Sequence, residues 1–150
     1  AYVETLGGWL GLYETPEAEL AAVEWDMVRS ARVVIDVGMN YRGWSDAEAL
    51  AYWRRAVRGQ EAIAQREIDR MRRWPAQVVT YKYGAARFEE ARARLAKGAG
   101  KAFDERAFHD LVLGRGPMPF PVFAALVENT LAGRGVPAPV QPANRGAIPE

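Results

Sequence analysis

Residues 15–45, TPEAELAAVEWDMVRSARVVIDVGMNYRGWS, decide the fold class. Thr15 can cap a helix through its hydroxyl, and Pro16 suits the first helical position because its φ is fixed and its missing N–H would have had no partner there. The sequence then predicts one long helix to about Tyr41, broken by Gly43-Trp44. Ser45-Asp46-Ala47-Glu48 follows with capping-box spacing, in which hydroxyl and carboxylate each satisfy an exposed backbone amide of the next helix. Val33-Val34-Ile35 is β-prone, but no alternation strong enough for a sheet surrounds it, so it is assigned to a buried stretch of helix.

The same punctuation divides the rest of the chain. A short helix is predicted up to about Tyr13 and a third from Ser45 to about Val57. After Gly59, Ile63, Ile68 and Met71 with charges between them predict a fourth helix ending before Trp74-Pro75, because proline disfavours the helical conformation in its predecessor. Pro75 is expected to open a fifth helix, which carries the second β-prone patch, Val78 to Tyr81, and fades through Lys97 to Gly100. Asp104 is expected to cap a sixth from Glu105 to about Leu113, and a last helix is expected from Pro121 to Leu131. The fold class is therefore all-α, with about seven helices in an orthogonal or bundle-like array over residues 1–132 and a Pro-rich tail over 133–150.

The 150 residues are 49% hydrophobic, enough to bury a core. Twenty Lys and Arg stand against 19 Asp and Glu, so the net charge of +1 exerts no broad pull toward nucleic acid or an anionic membrane. With no cysteine, disulfides, thiol nucleophiles and thiolate metal sites are excluded, and the compartment is left open. No apolar run spans a bilayer and no signal-peptide pattern is present, so no membrane partner is expected. The chain begins at Ala1 inside an amphipathic pattern (Tyr2, Val3, Leu6, Trp9, Leu10), and further polypeptide is expected upstream.

Four polar residues, Arg29, Arg32, Asp36 and Asn40, are spaced by three or four and line one side of the long helix. Asp36 lies among Val33 to Met39, where an unpaired charge is costly, and Arg32 one turn earlier is its natural partner. The pair reads either as a structural lock or as a pocket wall. Gln77 and Tyr81 stand one turn apart, beside Lys82. A phenol there can donate to a developing oxyanion, or serve as a core aromatic with its hydroxyl satisfied. His109, the single histidine, is read as a packed or capping residue, since its neighbours Phe108 and Asp110 point in other directions. The arginines at 54, 55 and 58 and at 70, 72 and 73 suit phosphate contacts, but Asp46, Glu48, Glu61, Glu67 and Asp69 interleave them, and these faces are read as solvated helix surface. Nucleic acid is not an expected partner. Gly7-Gly8 and Gly114-x-Gly116 lack the strand-then-helix setting of a phosphate loop.

Six motifs occur in order: Leu10-Gly11-Leu12-Tyr13; Arg29-x-x-Arg32-x-Val34-x-Asp36-x-Gly38; Gly43-Trp44-Ser45; Trp74-Pro75-Ala76-Gln77; Tyr81-Lys82-x-Gly84; and Phe108-His109-Asp110-x-Val112-Leu113-Gly114-x-Gly116. Together they resemble, over Ala1 to about Leu131, the C-terminal portion of the bacterial family called domain of unknown function 885, whose members look like helical zinc metallopeptidases. The resemblance implies that the metal ligands, a histidine-bearing helix and a Glu-Gly-Trp element, lie N-terminal to this chain. It implies no cofactor held by the chain itself, zinc for the complete domain, the missing metal-binding half as partner and peptides as substrates.

Tyr81 is the catalytic candidate by the same resemblance. Arg32, Asp36, Asn40, Gln77 and Lys82 are candidates to hold substrate or to orient the groups that do. Asn40 stands where the family usually has histidine, which leaves a hydrogen bond but no proton transfer, and Ala76 stands where glycine is common. The chain is accordingly expected to line a hydrolase cleft while being inactive alone. The alternative is a non-enzymatic helical interaction module, suggested by amphipathic surface left open when no second half covers it.

Overall fold

Thr15 accepts a hydrogen bond from the N–H of Ala18 at 3.2 Å, and Pro16 opens the longest helix as its sequence predicts. In the computed structural model, which describes residues 1–133, the helices are α1 (Tyr2–Trp9), α2 (Pro16–Asn40), α3 (Asp46–Ala56), α4 (Glu61–Arg73), α5 (Val79–Ala99), α6 (Glu105–Leu113) and α7 (Phe120–Leu131). A single 3-10 turn, Gly100–Ala102, follows α5. No strand occurs among the described residues, so the fold is all-α and both β-prone patches are absorbed into or beside helices. None of these helices is long and apolar enough to cross a membrane. The expected tail lies outside the described residues from position 134 onward.

Two helix ends differ from expectation. α1 stops at Trp9, short of Tyr13, because the chain turns back through Gly11 (φ 67°) and the Tyr13 hydroxyl donates to the Glu4 carbonyl at 2.8 Å. α5 starts at Val79 rather than Pro75. Residues 74–78 form a turn in which Ala76 takes φ 65°, a left-handed conformation incompatible with helix. The other ends follow local chemistry. Ser45 and Glu48 complete the capping box on α3, and Asp104 accepts from the N–H groups of Arg106 and Ala107 at the start of α6.

The described chain divides into two units, Ala1–Glu89 and a second beginning at Glu90. In the first, α2, α3 and α4 pack against one another around Val28, Ile35, Trp53, Ile68, Met71 and Val78, all fully buried. Trp53 donates its indole N–H to the Gln60 carbonyl at 3.1 Å, so its one polar atom does not oppose burial. In the second, Ala91 and Leu95 of α5, Phe108 and Val112 of α6, and Phe123, Leu126 and Val127 of α7 are buried. Arg92–Glu105 and Arg94–Glu128 ion pairs lie at its surface.

Candidate functional site

α4 reads as a charged helix, yet Ile63, Glu67 and Met71 recur every fourth residue. That spacing places Glu67 in the middle of the apolar face defined by Ala64, Ile68 and Met71. Glu67 is only 4% exposed, which corrects its assignment to solvated surface. Its carboxylate lies 2.8 Å from Arg32 Nη2 and 3.9 Å from Arg70 Nη1. The Arg32 contact is close but lacks hydrogen-bond alignment, and Glu67 Oε2, Arg32 Nε and Arg29 Nη1 have no hydrogen-bond partner. A buried charge survives only beside an opposite one, so Arg32, itself 7% exposed, and Glu67 hold each other in place.

Arg32 is therefore paired with Glu67, and Asp36 finds a different partner. Both carboxylate oxygens of Asp36, at 3.0 and 3.1 Å, accept from the backbone N–H of Ala76, forty positions away. This contact fixes the 74–78 turn and explains why residue 76 leaves helical geometry. The left-handed φ of Ala76 is strained for any residue with a Cβ and would suit glycine. Ala76→Gly is expected to stabilise the first unit by roughly 0.5–1 kcal/mol, the strain relieved less the extra unfolded-state freedom of glycine. Urea unfolding followed by tryptophan fluorescence checks this, and an unchanged or lower midpoint would refute the strain argument.

The remaining polar residues of α2 are tied to separate segments. Arg29 pairs with Glu4 of α1, and Asn40 donates through Nδ2 to the Met71 carbonyl at 3.2 Å, satisfying a carbonyl near the end of α4. The four-residue stripe is thus real as a face, but each member has its own target.

Gln77 and Tyr81 come together as their spacing suggests, although Gln77 lies in the turn and not in the helix. Gln77 Nε2 donates to the Tyr81 hydroxyl at 3.2 Å, and Arg70 Nη2 donates to Gln77 Oε1 at 3.0 Å and to the Tyr81 hydroxyl at 3.4 Å. Those donors, Gln77 first and Arg70 second, hold the phenol below its ordinary range, helped by the positive charges of Arg70 and Arg32 and opposed by partial burial. At 39% exposed, Tyr81 is not a core aromatic. Lys82 is not gathered into this cluster; its ammonium bridges both carboxylate oxygens of Asp26 on α2 at 2.9 Å. Sequence reading misses Arg70 and Glu67 as members. For Glu67 the four-residue spacing is the available signal, whereas nothing local distinguishes Arg70 from Arg72, which pairs with Asp46.

An open cleft of ≈ 390 Å³, lined by Arg66, Glu67, Arg70, Arg73 and Trp74, adjoins the cluster through Arg70. His109 lies in the second unit, with Nδ1 2.7 Å from the Glu105 carbonyl and its ring edge-on to Phe108, as a packed histidine. Among the described residues no three His, Cys, Asp or Glu side chains are grouped so as to hold a metal ion.

These features define an all-helical domain with an Arg-Gln-Tyr hydrogen-bond cluster beside a buried ion pair. The chain matches the family described as bacterial protein of unknown function (DUF885) over residues 1–127, and it belongs to that family. Among solved structures, the crystal structure described as "the putative lipoprotein from Colwellia psychrerythraea" is similar, with a TM-score of 0.83 and 29% identity over 88% of this chain. The match covers 23% of that polypeptide, so this chain spans less than a quarter of its length. No curated protein matches.

Proposed function

We propose that this chain is the helical wall of a hydrolase cleft in the DUF885 domain, with Tyr81 presenting a hydrogen bond to the oxyanion that develops as a substrate carbonyl is attacked. The supporting observation is the hydroxyl geometry: Tyr81 accepts from Gln77 and Arg70, which leaves its own hydrogen to donate outward. Donation strengthens as the phenol becomes more acidic, and the same neighbours that orient it lower its pKa.

Asp36 acts through the Ala76 N–H by setting the turn that carries Gln77, and Arg32 with Glu67 positions Arg70; these are positioning residues. Zinc, on the family resemblance, would supply a polarised water from ligands outside this chain, and peptides are the substrate class on the same ground.

Tyr81→Phe in a complete DUF885 protein carrying this segment is expected to lower kcat about 10- to 1000-fold with unchanged circular dichroism, the range for loss of one oxyanion donor. Unchanged turnover removes Tyr81 from the reaction. In this chain alone, ultraviolet titration read as the difference from Tyr81→Phe is expected to show Tyr81 ionising below the ordinary tyrosine range, and Gln77→Ala to return it toward ordinary behaviour. Because the folded-state pKa of Tyr81 lies below the unfolded one, the stability it contributes is fully present above the unfolded value and is lost as pH falls through the folded value.

A further inference from the structure

α2 is apolar on two sides. One side, with Val28, Ala31 and Ile35, enters the core. On another, Leu20, Val23 and Met27, then Val34, Val37 and the cap residue Tyr41, are between 38% and 84% exposed, with exposed Ser30 between the two groups. With Ser30 counted at the centre the spacing alternates three and four, which is the seam of a coiled coil with one polar position, whereas one core-facing side accounts for an ordinary surface helix. An apolar stripe running along most of a helix about 37 Å long marks an interaction surface.

The stripe is complementary to itself when reversed. Pairing two copies antiparallel sets Leu20 against Val37, Val23 against Val34 and Met27 against Ser30, so that small residues meet large ones at the centre and each contact occurs twice about a two-fold axis. Charge selects the same orientation. Glu17, Glu19, Glu24 and Asp26 crowd the first half of α2, while the second half has only the buried Asp36 and is followed by exposed Arg42. A parallel pair would oppose acid to acid, and an antiparallel pair brings Glu17 and Glu19 toward the Arg42 end of the other copy.

We infer that this face of α2 is the seam of an antiparallel, two-fold pairing with a second copy of this chain. The pairing uses none of the residues assigned to the hydrolase cleft and stands or falls independently of it.

The test is sedimentation of the 150-residue chain together with directed crosslinking, which the absence of native cysteine makes clean. The chain is expected to dimerise with a Kd on the order of 10–100 µM. Val34→Lys, at an exposed helical position, is expected to give a monomer with unchanged circular dichroism. An oxidised equimolar mixture of Val23→Cys and Val34→Cys chains is expected to yield mainly the mixed disulfide. A native chain that stays monomeric on the order of 100 µM, a Val34→Lys dimer as tight as the parent, or disulfides mainly between identical variants would overturn the proposal. The monomeric result would leave the stripe to other parts of the family polypeptide.

Discussion

Glu67→Ala is expected to destabilise the first unit by about 3–5 kcal/mol, because it leaves the Arg32 guanidinium buried beside an apolar void with no counter-charge. The cost comes from the partner left behind more than from the attraction removed. Arg32 is buried, and its Nε already lacks a hydrogen-bond partner. Replacing both members by Arg32→Met with Glu67→Leu is therefore expected to restore most of the loss, since a packed apolar pair leaves no buried charge unmatched. Urea unfolding read by tryptophan fluorescence suits the measurement, as all five tryptophans (Trp9, Trp25, Trp44, Trp53 and Trp74) lie in the first unit. If the single variant lost less than about 1 kcal/mol, the pair would be behaving as a solvated one.

Gly38→Ala carries the second large effect, and its sign runs against helix propensity. In an open helix the change gains about 1 kcal/mol. Here the added Cβ would stand 2.3 Å from Trp44 Cε3 and 2.4 Å from Cδ2, closer than carbon atoms can approach. The indole cannot simply swing aside. The Trp44 backbone N–H donates to the Gly38 carbonyl at 2.9 Å, its ring packs on Tyr52 at 5.7 Å, and Ser45 beside it begins the α3 capping box. Overpacking of this kind costs typically 1–3 kcal/mol, and the ring's tethering places Gly38→Ala at the upper end, a net loss of roughly 2 kcal/mol after the propensity gain. With Trp44→Ala as background the same substitution is expected to become neutral or stabilising. A loss that persists without the indole would show that Gly38 is needed for something other than close approach.

Gly38 also shows how much of the site is legible in the chain. Its place in an ordered motif with Arg32 and Asp36 is visible there, and so is the face those residues share. Their targets are not. Asp36 reads as the partner of Arg32 because the two are one turn apart, but helical neighbours share a direction without having to share a bond. Burial of α4 against α2 supplies Arg32 with Glu67, and Asp36 is left to the Ala76 amide. Tyr81 and Gln77 are legible as a pair because a four-residue spacing survives the shift of the helix start from Pro75 to Val79. Arg70 is not, since it reaches them from another helix.

Local chemistry determined the helical class and most helix ends. Thr15 before Pro16, Ser45 with Glu48, and Asp104 act within four residues of themselves, so one chain segment contains both donor and acceptor. Tertiary structure alone decided which charges are buried and which turn is strained. The Asp36–Ala76 contact spans 40 positions, and the Arg32–Glu67 pair likewise joins α2 to a separate helix. In each case the cost of removing a charge from water is offset by a partner that only the packed helices bring within reach.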